Sequence, residues 1–330
     1  MISVAGPSGR ELPLVTIVTP AYNRASYLDE TIRSVLEQDY PNLEYIVLDD
    51  GSTDGSTEVI RKYAAHLRFE SHPNMGETRT VSRGFSLARG EILGVVNSDD
   101  PLYPGAVGKI VDRFLARPEL LVAYPDWDMI GPKGEFQQRI TTFEYDYRNM
   151  IRWHHCVPGP GAFFRRGLAE RLGGRDTQFR YVGDFDFWLR AGLLGPFERI
   201  PEVLATFRTH PDSASVSAKG SAMAEEHIRL VRKIYALPDL PEEVRRVRRE
   251  AFSSAHFVAS VVCGPEPTWE KRLHCLKAIG YCPWKYLGEY SDRRPHLLHA
   301  LLGGVYLYPK EACRRLMWIL RAGRSKWLSR

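Results

Sequence analysis

Between residues 14 and 124, short runs of β-branched and apolar residues alternate with segments of helical periodicity, and few folds accommodate that rhythm. "LVTIVT" (14–19), "EYIVL" (44–48), "LRFES" (67–71), "ILGVV" (92–96) and "LLVAY" (120–124) read as strands, the third of them weak. Residues 26–38, 56–67, 76–90 and 105–118 read as helices. The first places Leu28, Ile32, Val35 and Leu36 at helical spacing behind Ser26 as N-cap; the third closes on Gly90 and the fourth on Pro118. Such alternation implies right-handed βαβ units and a largely parallel sheet covered by helices. From about residue 125 the rhythm changes. "DWDMIGPKGEFQQRI" reads as strand, Gly-Pro-x-Gly turn and strand, so the sheet is expected to become mixed there. A loop of small and polar residues (209–221) leads into a helical, basic remainder, which sets the expected domains at 1–218 and 219–330.

A chain of 330 residues with 44% hydrophobic and 26% charged residues has the composition of a globular protein with a sizeable core. No stretch approaches the roughly 18 consecutive apolar residues of a membrane span; the nearest, Leu297 to Tyr308, is shorter and carries His299. The first residues lack a charged segment followed by an apolar one, so no secretory signal is expected. The cysteines (Cys156, Cys263, Cys275, Cys282 and Cys313) show no CxxC or His-paired zinc spacing, and their odd number points to reduced thiols and a cytoplasmic setting. Residues 1–218 hold 24 Lys and Arg against 29 Asp and Glu, whereas residues 219–330 hold 21 against 11. Opposite signs suggest separate tasks.

Three polar signatures directly follow apolar strands: "TPAYNR" (19–24), "DDGSTDGS" (49–56) and "NSDD" (97–100). Ligands of an open parallel sheet bind beyond the carboxyl ends of the strands, where all three fall. Each alone reads as an ordinary turn; three at one edge point to a site. Neither GxGxxG nor GxxxxGK[ST] is present, so the usual backbone cradles for phosphate are missing. Asp49, Asp50, Asp99 and Asp100 would repel a diphosphate unless a divalent cation intervened, and Mg²⁺ or Mn²⁺ takes ligands of this kind together with substrate phosphates.

These three segments, with "PGPGAFFRRGLAERLGG" (158–174), "GDFDFWLR" (183–190) and "FRTH" (207–210), resemble family 2 glycosyltransferases of the GT-A fold over roughly residues 13–216. The resemblance implies an α/β, Rossmann-like, mostly parallel central sheet flanked by helices, with the C-terminal helical basic region outside it. It further implies that Pro20, Ala21, Tyr22 and Asn23 line the nucleotide site, with Tyr22 against the base. Asp50 would accept from the base, Arg79 would lie near the nucleotide, and Asp99 would reach the sugar or ribose. Asp100 would ligate Mn²⁺ or Mg²⁺, with His210 a further ligand or phosphate contact. An imidazole ligand favours Mn²⁺. The sequence departs from the family's Asp-x-Asp pattern at Asn97, whose amide oxygen can still coordinate or hydrogen-bond.

Sugar transfer with inversion needs a base for the acceptor hydroxyl, and by resemblance Asp184 takes that role, near the positive end of a helix. The plainer alternative is that Asp184 caps that helix. The segment "HHCVPGPGAFF" (154–164) is expected to form a sugar-contacting loop; adjacent His154 and His155 point to opposite sides and do not share a metal. Asp126 or Asp128 are weaker candidates for a donor-sugar contact. The basic region, ending in "EACRRLMWILRAGRSKWLSR", suits either an anionic membrane surface or an ordinary helical subdomain, and carries no nucleic-acid module. The expected activity is an inverting, metal-dependent transfer from a UDP- or dTDP-sugar to a saccharide or lipid-linked acceptor of a cell surface, in the cytoplasm or on the inner face of its membrane. The rivals are an inactive nucleotide-sugar-binding or scaffold protein and a sugar nucleotidyltransferase; the latter would want a Gly- and Lys-rich first loop, which "TPAYNRASY" is not.

Overall fold

The computed structural model describes residues 11–211, 213, 220–288 and 291–302, and the chain divides into two compact units. Met1–Tyr145 and Pro158–His210 form the first; Asp146–Val157 and Pro211–Arg330 form the second. In chain order the elements up to the hairpin are β1 (Val15–Ala21), α1 (Ala25–Leu36), β2 (Leu43–Asp49), α2 (Ser56–Arg61), β3 (Arg68–Ser71), α3 (Glu77–Leu87), β4 (Ile92–Val95), α4 (Ala106–Ala116), β5 (Val122–Ile130) and β6 (Phe136–Ile140). The short helix α5 (Tyr147–Arg152) belongs to the second unit. The chain then returns to the first through β7 (Phe163–Arg165), α6 (Arg166–Leu172), α7 (Gly183–Gly192) and β8 (Phe197–Arg208).

The sheet runs β3-β2-β1-β4-β7-β5-β6, with β8 pairing β5. Strands β3, β2, β1 and β4 are mutually parallel, and so are β5 and β8. Antiparallel β7 joins the two parallel groups, and β6 is the second arm of the expected hairpin. Every residue of β1 is buried, as a central strand covered on both faces requires. Helix α1 buries Leu28, Ile32 and Val35, and α4 buries Val107, Ile110, Val111 and Phe114, which are the apolar stripes their periodicity dictates. At Gly94 the ring of its β7 partner Phe163 lies where a side chain would start, 2.5 Å from a built Cβ, so only glycine permits that crossing.

Two local expectations are corrected. Helix α1 begins at Ala25 rather than after Ser26, because the Ala25 N–H is taken by the Asp54 carboxylate at 3.0 Å, a partner from the next loop that a local cap cannot supply. Helix α2 ends at Arg61 instead of running to residue 67, as its last turns loosen into a chain of turns ahead of β3.

The second unit is helical: α8 (Ser221–Tyr235), α9 (Glu242–Arg246), α10 (Arg248–Val262), α11 (Trp269–Tyr281), α12 (Pro283–Leu287), a 3₁₀ turn (Ser291–Arg293) and α13 (Arg294–Leu302). Phe257, Cys275, Ala278, Tyr286, Leu297 and Ala300 form a core cluster in it. No helix among the described residues is long and apolar enough to cross a membrane. The basic segment 303–330, expected to suit either an anionic membrane surface or an ordinary helical subdomain, lies outside the described residues.

Candidate active site

The carboxyl ends of β2, β1 and β4 lie side by side, and the loops leaving them are stitched together. Beyond Ala21, whose carbonyl accepts from the Asp50 N–H at 2.8 Å, the chain turns sharply at Asn23 in the left-handed region (φ 51°). The Asn23 N–H donates to Ser52 Oγ at 3.0 Å, and its side-chain oxygen accepts from the Thr53 N–H at 2.8 Å. Asparagine is among the few residues that tolerate this backbone conformation, and here the conformation clips the first loop to the second. Pro20 and Ala21 are buried in β1, so they shape the edge through backbone alone, whereas Tyr22 projects with 48% of its surface exposed. An exposed aromatic face at a strand end is the one part of this loop able to stack on a flat ring.

Of the paired acids after β2, Asp49 is structural. It accepts from the Ser52 N–H, Thr57 Oγ1 and Ser71 Oγ at 2.9–3.0 Å. Burial opposes its ionisation, but those donors outweigh it and hold the carboxyl below its ordinary range. Asp50 is buried and accepts from the N–H groups of Met75 and Gly76 at 2.7 and 3.0 Å, with His72 Nδ1 3.4 Å away. Those bonds tie the second loop to the start of α3, so part of the accepting capacity assigned to a base is already taken. Arg79 is exposed in the first turn of α3, three residues beyond Gly76, to whose carbonyl its N–H donates at 3.1 Å.

The acids after β4 divide sharply. Asp100 is buried, and its two oxygens accept from the Arg208 N–H at 2.7 Å and the Asn97 Nδ2 at 3.0 Å. Burial, reinforced by the Asp99 charge, pushes its carboxyl far above the ordinary carboxylate range. Asp99 is partly open: Oδ2 receives Arg24 Nε at 3.1 Å and lies 2.9 Å from His210 Nε2. Asp100 thus has both oxygens engaged inside the protein, while Asp99 shares one oxygen with His210, the imidazole expected as a further ligand or phosphate contact beside Asp100. Asn97 also gains a plain job, since an aspartate there would oppose Asp100 and an amide donates to it.

Arg208 organises this corner, and sequence reasoning missed it because a long cationic side chain reads as surface. It is buried; Nε donates to the Asp99 carbonyl at 3.0 Å, Nη1 to the Gly131 carbonyl at 3.1 Å and Nη2 to Glu30 at 2.6 Å. Tyr27 lies 5.1 Å beneath its guanidinium and 4.6 Å from the His210 ring, centroid to centroid. Backbone and side chain of one residue thus fix the turn that carries Asp99, and Tyr27 sets the plane of His210.

Asp184 lies exposed in the first turn of α7, where it accepts from the Phe185 N–H at 2.7 Å; the N-cap position is Val182, so Asp184 is not the cap. Asp186 is fully buried and bound to Arg190 at 2.7 Å, and Arg190 donates onward to the carbonyls of Leu172 and Gly174. Only Asp184 of the two can meet a substrate. Its helix start is pressed against that of α3: a Cβ on Gly183 would sit 2.7 Å from Thr78 Oγ1, which itself donates to the Phe179 carbonyl. The α3 start that holds Asp50 therefore also abuts the turn that carries Asp184.

Other candidates resolve as structure. Asp126 pairs with Arg199 at 2.6 Å and accepts from Thr142, while Asp128 binds Arg139 at 2.9 Å and Tyr103 at 3.0 Å; both are buried. His154 lies in the second unit, in the left-handed region (φ 52°), with its Nε2 2.8 Å from His227 Nδ1.

Comparison with known proteins adds the following. Residues 16–173 match the family described as Glycosyl transferase family 2. The chain is 29% identical over 215 residues to a hyaluronan synthase of Pasteurella multocida, covering 63% of this chain and spanning 22% of that synthase. Its fold is similar to S. aureus TarS 1–349 in complex with UDP-GlcNAc (TM-score 0.65, 19% identity, 87% of each chain). It is also similar to the mannosyltransferase PcManGT of Pyrobaculum calidifontis in complex with GDP-Man and Mn²⁺ (TM-score 0.60, 18% identity, 97% of this chain and 87% of that one).

Proposed function

Residues 16–173 belong to glycosyl transferase family 2, on a GT-A architecture, and from that premise we propose that the protein transfers a sugar from a nucleoside diphosphate, UDP or dTDP first, to a hydroxyl of a saccharide or lipid-linked acceptor with inversion. What carries the reading is the pairing of Asp99 with His210 at the same sheet edge as an exposed Tyr22, together with an open carboxylate at the start of α7. Nucleotide-sugars bound to two neighbours of the same fold support the donor class.

In this reading Tyr22 stacks on the base, Asp50 and Arg79 border the nucleotide, and Asn23 holds the loop. The donor set of one carboxylate oxygen and one imidazole nitrogen, with places left for phosphate oxygens and water, fits Mn²⁺ and also admits Mg²⁺. When bound there the ion would neutralise charge on the departing diphosphate. Asp184 takes the acceptor proton as the acceptor oxygen forms its bond to the anomeric carbon and the bond to the diphosphate breaks on the opposite side. Asp100 and Arg208 do not touch substrate; they position Asp99.

The test is nucleoside diphosphate release from a panel of UDP-, dTDP- and GDP-sugars, with Mn²⁺ and with chelator, on wild type and Asp99→Ala. Metal-dependent release from one donor, lost in the variant, is the expected result. Metal-dependent donor binding with no release, even with lipid-linked and saccharide acceptors added, would instead describe a binding protein.

A further inference from the structure

We propose that Cys263, Glu270 and His274 in the second unit bind a divalent transition-metal ion of the zinc class, a site separate in sequence and chemistry from the sheet edge. One ligand atom from each residue lies within 4.8 Å of the other two. Glu270 and His274 are four residues apart, on one face of α11, and Cys263 closes the end of α10. Thiolate, imidazole and carboxylate are together the donor set zinc takes, with three protein ligands and a fourth position for water.

The backbone that carries these side chains is fixed by bonds that need no metal. Lys271, buried, donates through Nζ to the Gly264 carbonyl at 2.7 Å and the Pro265 carbonyl at 3.2 Å, which pins the turn after Cys263. Thr268 caps α11 by accepting from the Lys271 N–H at 3.2 Å. The Gly220 N–H donates to the Val262 carbonyl at 3.2 Å, and Ser221 at the start of α8 donates its hydroxyl to Glu270. Three helix ends therefore meet around the cluster.

The outer contacts also suit an ion. His274 Nδ1 lies 2.9 Å from His256 Nδ1, so a buried imidazole orients the ligand ring as metal-bound histidines require. Tetrahedral zinc with bonds of about 2.0–2.3 Å separates its ligand atoms by roughly 3.3–3.8 Å, so closure asks for about one ångström of movement by Cys263 and Glu270. Both are only half-buried and have that freedom.

Co²⁺ is the probe, added to the reduced full-length protein. A thiolate-to-cobalt charge-transfer band should appear in the near ultraviolet at one equivalent, vanish on adding Zn²⁺, and be lost in Cys263→Ser. It should persist in Asp99→Ala and in Cys282→Ser, which separates it from a cation at the sheet edge and from another thiol. No band in wild type, or a band that survives Cys263→Ser, overturns the proposal. Should Cys263→Ser fail to fold by circular dichroism, His274→Gln decides: at least about tenfold weaker Co²⁺ binding supports the site, and unchanged affinity sinks it.

Discussion

His210 Nε2 and Asp99 Oδ2, 111 residues apart in the chain, meet at 2.9 Å. The contact joins the turn after β4 to the segment that follows β8.

Removing either donor should weaken nucleotide binding only when metal is present. Asp99→Asn and His210→Ala are each expected to lower Mn²⁺-supported UDP affinity by about tenfold or more. Calorimetric titrations with Mn²⁺ and with chelator check this; equal losses in both conditions would remove the metal from the account.

Asp184 and Asp186 should fail in different ways. Asp184→Asn is expected to cut turnover by about 10²–10⁴ with donor affinity and melting temperature kept. Asp186→Ala strands Arg190 and is expected to cost on the order of 3 kcal/mol of stability, read from chemical unfolding. A folded Asp186→Ala with a wild-type unfolding midpoint would contradict the assignment of that pair.

Arg208→Lys keeps the charge but not the fork. Its ammonium cannot reach the Asp99 carbonyl, the Gly131 carbonyl and Glu30 together, so stability should fall by about 2–3 kcal/mol, with Mn²⁺-supported donor affinity falling beside it. Unfolding curves and donor titration on one preparation read both.

Asn97→Asp restores the family's acid but sets it against buried Asp100. The hydrogen bond donated at 3.0 Å is lost and a new carboxylate is set against a carboxyl whose own ionisation burial and Asp99 already disfavour, so a loss of about 1–3 kcal/mol is expected from urea unfolding. A more stable variant would mean that Asp100 is not held by that amide.

Acid should weaken the second unit through His227. Burial lowers its imidazole to about 4, below the ordinary value near 6.5, so between those limits the unfolded chain binds the extra proton. Stability from this group is complete above pH 6.5 and declines as pH falls towards 4, by roughly 3 kcal/mol in all. In His227→Gln the slope of unfolding free energy against pH over this range should flatten; an unchanged slope would assign the acid sensitivity to other groups.

The parallel strands and the faces of α1 and α4 were legible because burial on both sides leaves a plain apolar period. Strand β8 was not. Its sequence contains Pro201 and Glu202, which break the alternation, and the structure lets the pairing with β5 skip those two: Ile200 opposes Pro125 while Val203 opposes Asp126. Asp99, Asp100 and His210 were recognisable as types, but which acid stays open depends on the Arg208 N–H and on Asn97, partners that one-dimensional spacing does not contain. The start of α1 was misplaced for the same reason, since its first N–H is satisfied by Asp54 from another loop. Cys263, Glu270 and His274 share no familiar motif, because one of them comes from a different helix.

Arg24 rests on the same Asp99 oxygen that faces His210, and its Nη1 reaches back to the Asn23 carbonyl at 2.9 Å. In the proposed reading, a cation at Asp99 would compete with a resident guanidinium rather than enter a bare acidic hole. Displacing that guanidinium would change the local charge by one unit instead of two and turn it towards a phosphate. A nucleoside diphosphate would satisfy that arginine, so ion and donor would be favoured as a joint cargo, each poorly retained without the other.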